Sequence, residues 1–184
     1  TEHKIQIGFI GQGWIGKNYA DDFENRLYSI VRYSLEEPYI KNKEQIKNCK
    51  VVFVAVPTPT TPDGFQFGAV ENALSNIAPG STVVFKSTMI PGTTAQLQAK
   101  FPNLYVMHSP EFLAEKTAAH DAAFPNRNIV GIPVKNEEYT TRAQQVLSLL
   151  PNAPFESIMG AKEAEFAKYA GNTFLYTKVV FMNA

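Results

Sequence analysis

Pro110-Glu111-Phe112-Leu113-Ala114-Glu115 puts two carboxylates four positions apart around an apolar pair. A carboxylate near a reacting carbon can take a proton from water, provided burial raises its proton affinity toward the working range. The same residues in a solvated acidic loop would do nothing, so the pattern needs a second site to act with. One stands upstream. Gly11-Gln12-Gly13-Trp14-Ile15-Gly16 has the GxGxxG spacing, follows an alternating apolar stretch and opens a helical one. At such a turn Gly11 permits the tight reversal, Gly13 lets a pyrophosphate approach the backbone, and Gly16 lets the helix lie close on the sheet. The first N–H groups of the helix supply donors and partial positive charge. The spacing alone is weak; its position between strand and helix is what gives it weight.

Four further places carry candidate chemistry. Where the second strand should end on an acidic ribose-binding residue, the sequence reads Val31-Arg32-Tyr33-Ser34. Arg32 and Ser34 suit a 2′-phosphate and so NADP; equally, Arg32 is a surface cation beside a tyrosine that stacks on adenine. Pro57-Thr58-Pro59 closes another strand, so Thr58 either reaches a cofactor or sits in a proline-stiffened turn. Thr88 follows a third strand end, where a hydroxyl holds a water or the nicotinamide amide, or simply caps a helix. Lys168 and Asn172, four apart, share one helical face; aimed into a cleft they would stabilise an oxyanion, and otherwise they are a solvated surface. His108 reads more simply as a satisfied histidine at a strand end than as a catalytic group. Cys49, the one cysteine of the chain, precedes its strand instead of following it and is assigned to structure.

These residues need a scaffold to position them, and the apolar pattern supplies one. Strands are expected over Lys4–Ile10, Ser29–Tyr33, Val51–Val56, Thr82–Phe85, Leu104–Met107, Ile129–Ile132 and Phe155–Ile158. Helices are expected over Trp14–Phe23, around Val70, Ala73, Leu74 and Ile77, over Thr93–Lys100 and Glu137–Leu150, and from Ala161 to the end. Strands alternating with helices at this spacing predict an α/β fold: a Rossmann-like doubly wound parallel sheet ending in a long C-terminal helix. Residues 1–160 would form the dinucleotide-binding domain and 161–184 the start of an interdomain or dimerisation helix. Phe174, Val179, Val180 and Phe181 keep that helix apolar to its last turn, as an excised domain, a truncated gene or a helix packed on a partner would.

Composition narrows the function classes. The 184 residues are 45% hydrophobic and 18% charged, ordinary for one soluble globular domain. Seventeen basic and seventeen acidic side chains cancel, leaving no field to gather nucleic acid or an anionic membrane. No apolar run approaches a membrane span, no metal-ligand spacing stands out, and a single cysteine suits a reducing cytoplasm.

Four segments in fixed order give the pattern a family likeness: Val54-Ala55-Val56-Pro57-Thr58-Pro59, Lys86-Ser87-Thr88-Met89-Ile90-Pro91-Gly92-Thr93-Thr94, Pro110–Glu115, and Lys168-Tyr169-Ala170-Gly171-Asn172-Thr173-Phe174-Leu175. With the glycine turn they resemble the N-terminal NAD-binding domain of the UDP-glucose/GDP-mannose dehydrogenase family. That resemblance implies oxidation of a nucleotide-sugar primary alcohol to a carboxylate by two hydride transfers to NAD, with a cysteine holding the aldehyde-level intermediate. The candidate cofactor contacts are Gly11, Gly13, Trp14, Ile15 and Gly16 of the turn, Arg32, Tyr33 and Ser34 at the second strand end, and Val56, Pro57, Thr58, Thr88 and Glu115. The resemblance makes Thr88 the residue that positions the hydrolytic water and Glu111 the base for thioester hydrolysis. Glu115 falls near the nicotinamide, Phe112 and Leu113 against the sugar, and Lys168 and Asn172 on the oxyanion. Asp121, Pro125 and Arg127 echo a family segment and read as loop-shaping.

The chain departs from the family where Lys116 replaces the usual glycine, and where only Leu35–Lys50 separates the second and third strands. The family's nucleophilic cysteine belongs to a later domain, so this chain is expected to bind NAD but not to complete the oxidation. Two alternatives stand beside that reading: a non-catalytic dinucleotide-binding or interaction module, and a single-step hydroxyacid-type dehydrogenase. The Glu111/Glu115 stretch speaks against the second. NADP remains the alternative cofactor, and docking of the terminal helix on a second copy or another partner is expected.

Overall fold

A computed structural model describes residues 5–58, 60–61, 64–65 and 67–183. Lys4, Pro59 and Ala184, which bound the expected first strand, proline turn and last helix, lie outside them. The strands are β1 Ile7–Ile10, β2 Ile30–Tyr33, β3 Val51–Val54, β4 Thr60–Thr61, β5 Gly64–Phe65, β6 Thr82–Phe85, β7 Tyr105–His108, β8 Arg127–Ile132 and β9 Phe155–Gly160. The helices are α1 Trp14–Asn25, α2 Gly68–Leu74, α3 Thr93–Lys100, α4 Ala118–Ala123, α5 Glu137–Leu149 and α6 Ala161–Met182. Ile40–Asn48 forms a 3-10 helix in place of a full crossover helix, which is how the short link between β2 and β3 closes.

Seven strands form one sheet in the order β2-β1-β3-β6-β7-β8-β9; β4 and β5 make a separate small hairpin. Alternate side chains feed two cores, one on each face. Ile7, Phe9, Val51, Phe53, Val84 and Met107 point to one face, where Phe9 stacks on Phe53 at 5.2 Å between ring centroids. Ile10, Val52, Val54, Val83, Phe85 and Val106 point to the other. Continuous apolar strands are what a sheet covered by helices on both faces requires.

Two differences from expectation matter for the site. First, β8 runs antiparallel to β7, and β9 follows β8, so five strands share one direction and two run against them. Residues 109–126 contain a 3-10 turn over Glu115–Thr117 and the six-residue α4, which packs beside α1 near the edge where β7 ends. The chain therefore re-enters the sheet from that edge without crossing it. The longer α5 does cross, and β8 and β9 come out parallel. Second, β3 stops at Val54, which leaves Ala55 and Val56 free to line a cleft.

Two contacts at its first turns help to seat helix α6. A side chain at Gly131 would put its Cβ 2.7 Å from the Cβ of Ala164, so the missing methyl lets the helix lie directly on β8. The Glu165 carboxylate, fully buried, accepts hydrogen bonds from Gly92 N at 2.5 Å, Thr94 N at 2.7 Å and Thr94 Oγ1 at 2.5 Å. That places an anion on the N-terminus of α3, where helix donors otherwise lack partners. Beyond Lys168 the helix leaves the body, and Phe174, Leu175, Tyr176, Val179, Val180, Phe181 and Met182 are exposed.

Candidate functional site

The glycine turn opens onto a cleft of about 570 Å³ at the carboxyl edge of β1, β3 and β6. Gly11 has φ +90°, and a Cβ there would meet the carbonyl oxygen of Ala55 at 2.4 Å. At Gly16 a Cβ would lie 1.9 Å from the carbonyl oxygen of Gly11. At Gly13 nothing lies within 4 Å, so the backbone there faces open space. Two glycines are thus demanded by backbone packing and the third leaves room for a ligand, at the N-terminus of a twelve-residue helix with no acidic residue in its first turn. This is the cradle a pyrophosphate fits. Trp14, Ile15, Tyr33, Ser34, Val56, Pro57, Thr58 and Thr88 line the same cleft. Thr58 is turned inward, its hydroxyl donating to the carbonyl oxygen of Thr88 at 2.7 Å, so it braces one strand end against the next.

Arg32 does not face this cleft. Its guanidinium is buried against α1, 2.7 Å from Asp21 and 2.7 Å from Glu24, with a longer bond to Gln12 Oε1 at 3.4 Å. Neither a surface cation nor a free phosphate ligand describes it. Glu36, three residues past β2, does line the cleft, and the sequence reading passed over it because it looked for the acid at the strand end.

The second region lies where β7 ends. Glu111 and Lys168 are both buried and form an ion pair at 2.7 Å; Glu111 also accepts from Leu113 N at 2.7 Å. Lys168 Nζ lies 5.6 Å from the centre of the Phe112 ring, whose other neighbour is the Arg127 guanidinium at 4.2 Å. Glu115 is exposed at the start of a 3-10 turn, and residues 109–114 form no helix, so the four-residue spacing does not bring the two side chains onto one face. The two carboxylates therefore do not act as a pair. Asp121 shapes the loop as expected, accepting from Ala114 N and from Thr117 Oγ1.

Lys86 joins this centre, and the sequence reading gave it no role. It is buried, its Nζ 3.1 Å from Ser109 Oγ and 4.3 Å from the centre of the Tyr19 ring. Burial pushes its ammonium down from 10.5 to about 7, with Glu111 opposing and Lys168 reinforcing the shift. The signal for it was a lysine ending an otherwise apolar strand. His108 stands at a strand end, as anticipated, but it is not satisfied: neither ring nitrogen meets a partner among the described residues. Burial, then Lys86 and Lys168, hold it down to about 3, hence neutral.

Asn172 lies one turn beyond Lys168 and is exposed. With Thr88, Tyr169, Thr173 and Tyr176 it lines a hollow of about 270 Å³. Thr88 borders both the hollow and the dinucleotide cleft. The structure thus joins Glu111 to Lys168 and Thr88 to Asn172, and leaves Glu115 outside. Cys49 is buried far from this edge, its thiol pushed up to about 11 by burial and directed at Gln45 O.

Comparison with known proteins settles the family. Residues 23–148 match the model of the UDP-glucose/GDP-mannose dehydrogenase family, NAD binding domain. The chain belongs to that family. It is 33% identical to the UDP-glucose 6-dehydrogenase of Streptococcus pneumoniae, a match covering 97% of this chain and 55% of that protein. The UDP-glucose dehydrogenase structure from Pyrobaculum islandicum superposes with TM-score 0.80 at 25% identity, covering 97% of this chain and 51% of the other. The GDP-mannose dehydrogenase of Pseudomonas aeruginosa, in a ternary complex, has TM-score 0.77 at 21% identity, covering 98% and 51%, and supports the fold alone. The chain spans about half the length of the relatives it matches. NAD is the cofactor of this domain, and the cleft's glycine cradle fits it. No helix of the described residues is long and apolar enough to cross a membrane.

Proposed function

We propose that this chain is the cofactor-holding half of a cytoplasmic nucleotide-sugar 6-dehydrogenase, with residues 1–160 as the dinucleotide unit and 161–184 beginning the helix that leads to a partner surface. The observation that carries this reading is the sharing of Thr88 between the cleft and the hollow that holds Asn172. A sugar carbon in the hollow would lie beside a nicotinamide ring in the cleft. Bound NAD supplies the hydride acceptor.

The chain's own residues do the rest of the work in this reading. Gly13 and the opening N–H groups of α1 hold the pyrophosphate. Thr88 and Asn172 hold an oxygen at the reacting carbon, and Lys168 offers positive charge to an oxyanion as it develops. Glu111, tied to Lys168 and to Leu113 N, takes the proton from water in the hydrolytic step. Phe112 and Leu113 border the sugar. Glu115, exposed at its turn, enters only if the loop moves inward. No thiol of this chain can serve the aldehyde-level step, because Cys49 is its only cysteine and is buried elsewhere. The exposed apolar stretch of α6 fits docking on a second copy of the chain.

The test is a pair of measurements on this chain: titration with NADH, and reduction of NAD on addition of UDP-glucose or GDP-mannose. Saturable NADH binding without turnover is expected. Sustained NADH production would overturn the proposed incompleteness, and absence of binding would overturn the assignment of the cleft.

A further inference from the structure

The adenosine end of the cleft carries its charge in an unusual place. Among the described residues that line the cleft, Glu36 is the one charged side chain, and no described residue pairs with its carboxylate. The position that a 2′-phosphate would need as a cation belongs to Arg32, and Arg32 is already neutralised by two carboxylates of α1. Asp21 and Glu24 each approach it at 2.7 Å, and the guanidinium is only 8% exposed. Ser34, the other group suited to a phosphate, is committed as well. Its hydroxyl donates to Glu36 O at 3.0 Å and accepts from Glu36 N at 3.3 Å.

We infer that Glu36 is the specificity-determining residue for the dinucleotide: its carboxylate accepts from the adenosine ribose hydroxyls, so that the chain selects NAD over NADP while Asp21 and Glu24 hold Arg32 out of reach. The inference rests on the reading of this cleft as the dinucleotide site. Its physical basis is a matching of donors and charges. A free ribose diol presents two O–H donors and needs an acceptor, which a carboxylate provides in charge-assisted form. A 2′-phosphate brings nearly two negative charges and needs cations. A cleft whose described lining holds a carboxylate and no cation favours the diol and repels the phosphate. The usual acid at the end of the second strand is here an arginine. The acidic function has moved four residues downstream, into a turn that Ser34 closes.

The test uses Trp14, the only tryptophan, which lines the cleft and reports a bound dihydronicotinamide by energy transfer. NADH and NADPH are titrated separately into this chain, into Glu36→Gln, into Glu37→Gln and into the double variant Asp21→Asn/Glu24→Gln. The parent should bind NADH at least about tenfold tighter than NADPH. Glu36→Gln should weaken NADH about tenfold without weakening NADPH, bringing the ratio near one. Glu37, outside the cleft lining, should leave both affinities at parent values when changed. Freeing the guanidinium in the double variant should tighten NADPH; thermal melting checks that this variant folds, and the Glu36 arm decides if it does not. Equal parent affinities, or a Glu36→Gln ratio within about twofold of the parent, overturns the inference while leaving the cofactor reading intact. Failure of the parent to bind either dinucleotide overturns both.

Discussion

The cleft and the buried centre beside it recognise by opposite means. The cleft is built from backbone: a glycine turn, the open end of α1, and strand ends whose carbonyls crowd where a Cβ would sit. The centre is built from side-chain charge removed from water: Glu111, Lys168, Lys86 and a neutral His108. One region is therefore set chiefly by volume and backbone donors, with Glu36 the one charged side chain of its described lining, and the other is sensitive to charge and to pH. A shape-made site has to be present before a ligand arrives. A charge-made site has to be kept dry, which is why it lies under α6 and against β7.

The sharpest way to break this contrast is through the glycines. Gly16→Ala forces a Cβ to 1.9 Å from a backbone oxygen, so the turn must move and NADH binding, followed by Trp14 energy transfer, should fall beyond detection. Next in size is the ion pair. Lys168→Met or Glu111→Gln alone leaves a buried charge without its partner and should cost about 3–5 kcal/mol in urea denaturation. The double variant should recover part of that loss, and NADH affinity should change little in any of the three. A shift of more than about tenfold in NADH affinity would mean the two regions are one. Glu165→Gln removes the anion from the start of α3 and should cost about 1–3 kcal/mol, again without altering NADH binding.

A smaller, graded effect comes from pH. Lys86 titrates near 7 in the folded chain and near 10.5 when unfolded, so between these values the unfolded chain holds more protons and folding gains stability as pH rises. The slope approaches about 1.4 kcal/mol per pH unit at most. His108 acts in the same direction lower down: held at about 3 when folded against 6.5 otherwise, it makes stability fall as pH drops below the latter. Above about 9 the buried Cys49 thiol offsets this rise and levels the trend, because the unfolded chain then loses its thiol proton more readily. Urea midpoints at pH 7, 8 and 9 should climb in the parent and stay level in Lys86→Met. The least effect on folding belongs to Gly13→Ala. With nothing within 4 Å of its Cβ, this variant should fold as the parent does and lose only cofactor affinity, because the methyl projects toward the ligand.

How much of this was legible beforehand differs residue by residue. Strand Thr82–Phe85 and helix Thr93–Lys100 came out with their anticipated bounds, since Pro–Gly turns punctuate both. The glycine turn and its cleft were legible for the same reason: φ, volume and strand-to-helix position are local. The reversal of β8 was not, because parallel and antiparallel strands carry the same apolar pattern and only the route of residues 109–126 distinguishes them. The direction of Arg32 was not legible either, since it depends on two acids of α1 that pack beside it. Nor was the separation of Glu111 from Glu115, which follows from the non-helical backbone between them.

The amino-acid sequence alone determined the element order, the two apolar faces of the sheet, the glycine cradle and the family's motif order, all of which rest on short-range periodicity and backbone freedom. Only the tertiary structure decided which charges are neutralised and by whom: Lys168 on Glu111, Glu165 on α3, Arg32 on α1, with Glu36 left facing the cleft. Charge pairing acts through space and desolvation, and both are set by how elements pack, not by how residues are spaced along the chain.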